Sequence, residues 1–311
     1  MIDIQLPEFK FRFLKAQLSA VKPYWRRSGA FASQRFYHYT NLEALLSIVE
    51  RNVLWLSDVR YSNDRGEQID CLELAKKLLK KLATVHGGGP WKKVLEAAVG
   101  RLDREVPREL FVTSFSKNKD SLSQWRGYCS VGTGVAICFR TSIKSNKHLK
   151  FLAMPQFVLS NVTYDDNVKR YLIKGMVSRF QKVFDADLAD HGEDVIEDYA
   201  EYIVATIGLV SPAFKNSAFY EEAEIRLIGH VPFSEEGRRR YRVSSGRLIP
   251  YIEFGTNMKC FENLQFDIPE VIIAPSPEQQ TIQMAVITML QDHGFTKTKV
   301  LTSKIPYRRS W

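Results

Sequence analysis

Hydrophobic positions along the chain switch between a period of two and a period near 3.6, and the switches mark the elements. Residues 36–40 (FYHYT) read as a short strand, aromatic and β-branched. Asn41 then offers an N-cap, with Glu43 in the first turn, for a helix LEALLSIVERN that puts Leu42, Leu45, Leu46 and Val49 on one face. VLWLS at 53–57 is a second strand. The polar stretch DVRYSNDRGEQ leads into a helix from about Glu67 to Leu82. HGGGP at 86–90 breaks the pattern, and a helix of roughly 91–104 follows. ELFVTSFS at 109–116 is a strong strand. KNKDSLSQWRGYCS reads as a loop with a short helix. GVAICFR at 134–140 is nearly all apolar, the pattern of a central strand. Residues 165–210 are long, helical by period and free of proline, so they read as a helical insertion between strands. AEIRLIG (223–229), RLIPYIEF (247–254) and PEVIIAPSP (269–277) are further strands, and a helix at 278–292 and a strand at 298–301 close the chain. Strands that come in runs, with grouped helices, predict an α+β fold rather than a doubly wound α/β one. The expected organisation is a single α+β domain with an N-terminal extension over 1–33 and the insertion at about 165–210. No G-x-G-x-x-G follows a strand, and HGGGP lacks the Lys-Ser/Thr of a phosphate loop.

Composition narrows the class. The chain has 311 residues, 45% hydrophobic and 25% charged, an ordinary globular balance. No apolar run reaches the ~18 residues that span a membrane, and MIDIQLPEFKFRFLKAQ has no apolar signal region, so a cytoplasmic protein is expected. Cys71, Cys129, Cys138 and Cys260 are scattered, without C-x-x-C or zinc spacing; they read as small buried residues, with no disulfide framework and no metal. The net charge of +9 and pI near 9.3 raise the odds of a nucleic-acid or other anionic partner. Bases cluster at Arg26-Arg27, Lys76-Lys77, Lys80-Lys81, Arg238 to Arg240 and Arg308-Arg309. GRRRYR at 237–242 is the densest run, and its simplest reading is a solvated loop.

Three polar clusters fall on strands. His38 sits between Tyr37 and Tyr39, with Thr40 beyond; it is either a core histidine satisfied by backbone or a ligand-binding group. Ser114 and Ser116 end a strand with both hydroxyls on one face, where they can hold a sugar or a phosphate. Glu222, Glu224 and Arg226, if all on one strand, point the same way; they form either a salt-bridged edge row or an active-site strand whose carboxylate stabilises a cation. Asn63, Asp64 and Glu67 lie in a polar loop. Gln124, Trp125, Arg126 and Tyr128 put aromatic surface near the serine pair.

These motifs carry a resemblance. YHYTNLEALLSIVERNVLWLSDVRYSNDRGEQ resembles the opening of the bacterial domain of unknown function 2971 family, SFSKNKDSLSQWRGYCSVGTGVAICF its second block and FYEEAEIRLI its Glu-x-Glu-x-Arg block. Together they cover roughly residues 34–303 in order. A His-x-Thr strand, a later Ser-x-Ser and then a Glu-x-Glu strand also resemble the ADP-ribosyltransferase superfamily, which cleaves NAD between nicotinamide and ribose. That resemblance implies mixed or antiparallel sheets around a central cleft. It implies that His38, with Tyr39 and Thr40, holds the adenosine ribose. Ser114 and Ser116 brace the nicotinamide ribose and its strand. Trp125 or Tyr128 stacks on nicotinamide, with Asn63 and Arg226 lining the site. Glu224 stabilises the oxocarbenium-like transition state, and Glu222 steers the acceptor.

The leading expectation is therefore an NAD-consuming effector, an ADP-ribosyltransferase or NAD glycohydrolase of the toxin or antiphage kind. It uses NAD as substrate without a metal, and its acceptor is nucleic acid, protein or water. Two alternatives stand beside it: a nuclease or nucleic-acid-binding effector with Asp64 and Glu67 holding Mg²⁺, and a non-catalytic nucleotide-binding sensor.

Overall fold

The computed structural model describes residues 34–61, 67–103, 110–129, 134–140, 157–229, 239–244, 246–255 and 266–306. Its strands are β1 (Arg35–Asn41), β2 (Val53–Asp58), β3 (Phe111–Ser116), β4 (Gly134–Arg140), β5 (Phe157–Asn161), β6 (Glu224–Gly229), β7 (Arg240–Ser244), β8 (Arg247–Gly255), β9 (Glu270–Ile273) and β10 (Lys299–Thr302). Its helices are α1 (Leu42–Arg51), α2 (Glu67–Val85), α3 (Pro90–Leu102), α4 (Leu122–Tyr128), α5 (Asp166–His191), α6 (Val195–Val210) and α7 (Gln279–Asp292). Two compact units emerge: a helical one within residues 67–103 and 162–217, and an α+β one built from 34–61, 111–161 and 218–306.

The α+β unit is a mixed sheet of ten strands. Its main path runs β10-β9-β4-β1-β3-β2-β8-β7, with β6 paired to β3 and β5 paired to β6. Only β9 and β10 are parallel among the described pairs. β4, apolar and buried except for its last residue Arg140, lies between β1 and β9, where both its faces are covered. One face of the sheet is the main core. Phe36, Phe115 and Phe139 project from β1, β3 and β4 and meet edge-on, with centroids 4.8 Å and 5.7 Å apart. α1 starts where its sequence says it should: the Asn41 side chain accepts from the Ala44 N–H at 2.8 Å. It ends on Asn52 in the left-handed region, φ 51°.

In the helical unit, α5 and α6 occupy most of 165–210 and pack with α2 and α3. Phe184 stands between Trp91 and Tyr199, with centroids 5.0 Å and 5.1 Å away. The fully buried Tyr199 donates its hydroxyl to the equally buried Asp187, a bond that offsets part of the cost of burying both polar groups.

Three sequence expectations change, and one strand is new. Glu222 is not on the strand: Ser217–Glu222 is a 3₁₀ turn, Ala223 has φ 45°, and β6 starts only at Glu224. The stretch 269–277 yields a strand only at Glu270–Ile273, because Pro275 and Pro277 have no N–H to give a ladder. The GRRRYR run is not simply a loop. Its last three residues open β7, which pairs with β8 across a tight turn holding Gly246 at φ 72°. β5 had no prediction at all. Arg26, Arg27, Asn63, Asp64, Arg238, Cys260, Arg308 and Arg309 lie outside the described residues, as does the extension 1–33.

Candidate functional site

Strand β3 organises the polar clusters. One of its edges is laddered to β6 along its full length, with Ser114 opposite Arg226 and Ser116 opposite Glu224. The other edge is shared. Ser57 and Asp58 of β2 pair with Val112 and Phe111, while β1 meets it at Tyr37 opposite Ser116. β1 and β2 thus leave a split on that edge, and His38 fills it. Its Nδ1 lies 2.9 Å from the Ser114 carbonyl oxygen. A carbonyl only accepts, so Nδ1 carries the hydrogen and, in the neutral ring, Nε2 is an acceptor. Burial holds the imidazole pKa below its ordinary value, opposed by the bond to Ser114. The ring therefore stays neutral near pH 7.

Strand register fixes which faces these groups use. His38 follows Tyr37 and lies on the core face, its ring 5.7 Å from that of Phe115. Ser114, Ser116, Glu224 and Arg226 lie on the opposite face, and so does Ser160, which β5 sets opposite Arg226. His38 thus reaches the serine strand through the backbone of Ser114, not across a shared face.

Glu224 and Arg226 form a bidentate pair. Arg226 Nε donates to Glu224 Oε1 at 2.7 Å and Nη2 to Oε2 at 3.0 Å, and both side chains are only 3% exposed. Such a pair is costly to desolvate, and only good geometry offsets the penalty. Ahead of it the chain takes a strained turn at Ala223, a β-carbon-bearing residue at positive φ. Three bonds hold that turn: Ser116 Oγ donates to the Glu222 carbonyl at 2.7 Å, Lys117 N to the Ala223 carbonyl at 3.0 Å, and Ala223 N to the Tyr220 carbonyl at 3.1 Å. Ser116 also accepts from Asn118 N at 3.1 Å. Its hydroxyl braces the entry to β6.

The aromatic candidates divide. Trp125 is buried, donates Nε1 to Asp120 Oδ1 at 2.7 Å and meets Tyr39 edge-on at 4.7 Å. The Tyr39 hydroxyl donates to the Asn118 carbonyl at 2.7 Å and accepts from Ser121 N at 3.1 Å. Both are packing groups that fix the loop between β3 and α4. Tyr128 is 36% exposed, and its hydroxyl donates to Glu222 Oε2 at 3.2 Å. It is a partly exposed aromatic side chain beside Glu222, as are Phe219 and Tyr220 of the turn that carries Glu222. Thr40 is half-buried opposite Val135 on β4. Glu67 opens α2 and belongs to the helical unit.

Two acids, the half-buried Asp120 and the buried Glu270, escaped the sequence reading. Asp120 accepts from Trp125 Nε1, from Ser303 Oγ at 2.7 Å and from Lys304 N at 3.0 Å. Glu270 accepts from Tyr37 at 2.8 Å and Lys119 at 3.0 Å. Their partners lie up to 184 and 233 residues away, so no local pattern marks them. Cys71, Cys129 and Cys138 are buried free thiols whose pKa values burial pushes up to about 12, too high for a reactive thiolate at neutral pH. Among the described residues, no cluster of three or more His, Cys, Asp or Glu is placed to hold a metal ion. Nor is any described helix long and apolar enough to cross a membrane.

A family model described as "Protein of unknown function (DUF2971)" matches residues 124–227, from α4 to within β6. The matched stretch includes Trp125, Tyr128, Glu222, Glu224 and Arg226. No curated protein and no solved structure matches the chain.

Proposed function

We propose that this chain cleaves NAD at the bond between nicotinamide and ribose, as an ADP-ribosyltransferase or NAD glycohydrolase. The observation that carries the reading is strand order. The His38-x-Thr40, Ser114-x-Ser116 and Glu224 strands are far apart in sequence yet lie side by side as β1-β3-β6, and the ladder between the first two opens into a split at His38. The sheet thus gathers the strands on which the ADP-ribosyltransferase resemblance rests.

In this reading the ribosyl C1′–N bond breaks and its electron pair leaves with neutral nicotinamide. Positive charge develops on the ribose. The Glu224 carboxylate, kept ionised and oriented by Arg226, stabilises that charge electrostatically. Ser116 fixes the turn that aims Glu224. His38, neutral and hydrogen-bonded through Nδ1, offers Nε2 as an acceptor for a ribose hydroxyl. Tyr128 gives the nicotinamide ring a face to stack on, and Glu222 beside it receives the acceptor. Water or an acceptor hydroxyl adds to C1′ and releases a proton, which closes the balance. The test is incubation of the protein with NAD, measuring free nicotinamide and the transfer of adenine-labelled ADP-ribose. Saturable nicotinamide release that Glu224→Gln abolishes supports the reading; a folded protein that releases none overturns it.

One observation favours a second reading. Both oxygens of Glu224 are engaged by Arg226 at 3% exposure, as suits a rigid nucleotide-binding module without turnover. NAD binding with no nicotinamide release selects it.

A further inference from the structure

The far end of the sheet from β5 and β6 carries a basic and aromatic surface. β7 is the last strand of the main path, and register places Arg240 opposite Tyr251 and Arg242 opposite Ile249 on β8. Ser57 of β2 lies opposite Tyr251 in turn. Arg240, Arg242, Tyr251, Ser57 and Trp55 therefore share one face. Trp55 is 36% exposed, and its ring lies against Tyr251 with centroids 4.5 Å apart. Arg242 reaches over β8 to donate Nη2 to Ser57 Oγ at 2.9 Å, and its Nε is buried without a hydrogen-bond partner among the described residues. Arg51 adds a third positive charge near the Tyr251 hydroxyl, against Glu253, which pairs with Arg240 at 3.2 Å.

The same register carries this face to the candidate site. Ser57 lies opposite Val112, which precedes Ser114 and Ser116 on the same face of β3, and Ser116 lies opposite Glu224. Val112 and Ser116 are four residues apart, about 13 Å along the strand, or the span of a few nucleotides.

We propose that the face formed by Arg240, Arg242, Trp55 and Tyr251 binds single-stranded nucleic acid and presents it as the acceptor of ADP-ribose. Arginine forks match phosphate oxygens, and the exposed Arg240 and half-buried Arg242 set two of them on this face. An exposed indole on a sheet gives a base a plane to stack on, and a groove that combines the two is the general device for single strands. The net charge of +9 and the arginines gathered on this face favour a polyanion as the occupant. The acceptor role rests on the NAD reading; the binding does not.

The experiment is fluorescence anisotropy with a fluorescein-labelled single-stranded RNA of mixed sequence, about a dozen nucleotides long, its DNA counterpart and the matching duplex. Binding should be saturable, prefer single strands and weaken with salt. Trp55→Ala should lower affinity about 5- to 150-fold, and Trp55→Phe should recover most of it. Arg240→Ala and Arg242→Ala should each reduce the slope of log affinity against log salt by about 0.7. Unchanged melting temperatures confirm that the variants are folded. No saturable binding, or binding indifferent to Trp55→Ala and both arginine variants, overturns the proposal. Nicotinamide release with label passing only to protein overturns it too while leaving the proposed function intact. Nucleic-acid binding without NAD cleavage supports the docking face and removes the NAD reading.

Discussion

Replacing Glu224 by Gln separates the two roles that this side chain can have. In the native protein its carboxylate accepts two bonds from Arg226, at 2.7 Å and 3.0 Å, with both residues 3% exposed. Glutamine keeps the shape but has one acceptor oxygen, and its amide nitrogen cannot face a guanidinium. One bond is lost, and the buried arginine loses its counter-charge. Breaking a buried pair from one side costs about 3–5 kcal/mol. At about 2–4 °C per kcal/mol for a chain of this size class, the melting temperature should fall by about 6–20 °C. If the carboxylate also stabilises the ribosyl cation, nicotinamide release should drop by about 10²–10³, by analogy with removing one preorganised electrostatic group. A loss of stability alone can mimic this, so Glu224→Met combined with Arg226→Met is the decisive variant. Two apolar side chains of similar length remove both charges together, which recovers most of the stability and none of the chemistry. Melting temperature, NAD affinity and nicotinamide release are read on the same preparations, well below the lowest midpoint. A double variant that is stable and still turns over NAD rules out the catalytic role. A Glu224→Gln protein with an unshifted midpoint rules out the ion-pair geometry itself.

Three further outcomes follow from other residues. His38 has a folded pKa lowered from 6.5, chiefly by burial, so the folded state resists its protonation. The stability this contributes is present above about pH 6.5 and is lost as pH falls through the folded value; urea midpoints from pH 8 to 5 should fall more steeply for the native protein than for His38→Gln, and parallel curves refute it. Glu222→Gln keeps the backbone carbonyl that Ser116 uses, so NAD hydrolysis should survive while transfer to an acceptor falls; equal loss of both contradicts the steering role. Asn41→Ala removes the bond to Ala44 N and should cost about 1 kcal/mol, read as a shift in denaturant midpoint with no change in NAD affinity.

Local signals were the legible ones. Asn41 before an apolar period marked α1, and the apolar run of β4 marked a strand covered on both faces. β7 was missed although its signal is present: Tyr241 and Val243 alternate with Arg240 and Arg242, and a Ser-Gly pair follows, the pattern of a hairpin. The density of arginine drew the reading toward a loop. Glu222 was misplaced because alternation was extended backward past Ala223, where a positive φ resets the direction of the chain. Nothing in the local pattern of FYEEAEIRLI marks that reset, because alanine is not a residue that usually takes it.

Period gives the face of a strand and says nothing about its neighbour. His38 lies 76 residues from Ser114, and Ser116 lies 106 from Glu222; bringing them together is decided by which edges of β3 the sheet leaves to β1, β2 and β6. The consequence for chemistry is specific. Since β1 and β3 pair at Tyr37 and Ser116, alternation puts His38 on the face opposite Glu224. A ligand that uses both must enter where the strands part, beside the Ser114 carbonyl, and not lie across either face. The split between β1 and β2 on the edge of β3 is therefore the feature to alter. Putting a bulkier side chain into it, as in His38→Trp, should block NAD binding while leaving the Glu224–Arg226 pair, which lies on the opposite face, and its contribution to the melting temperature in place. NAD affinity unchanged in a folded His38→Trp variant places the nucleotide elsewhere.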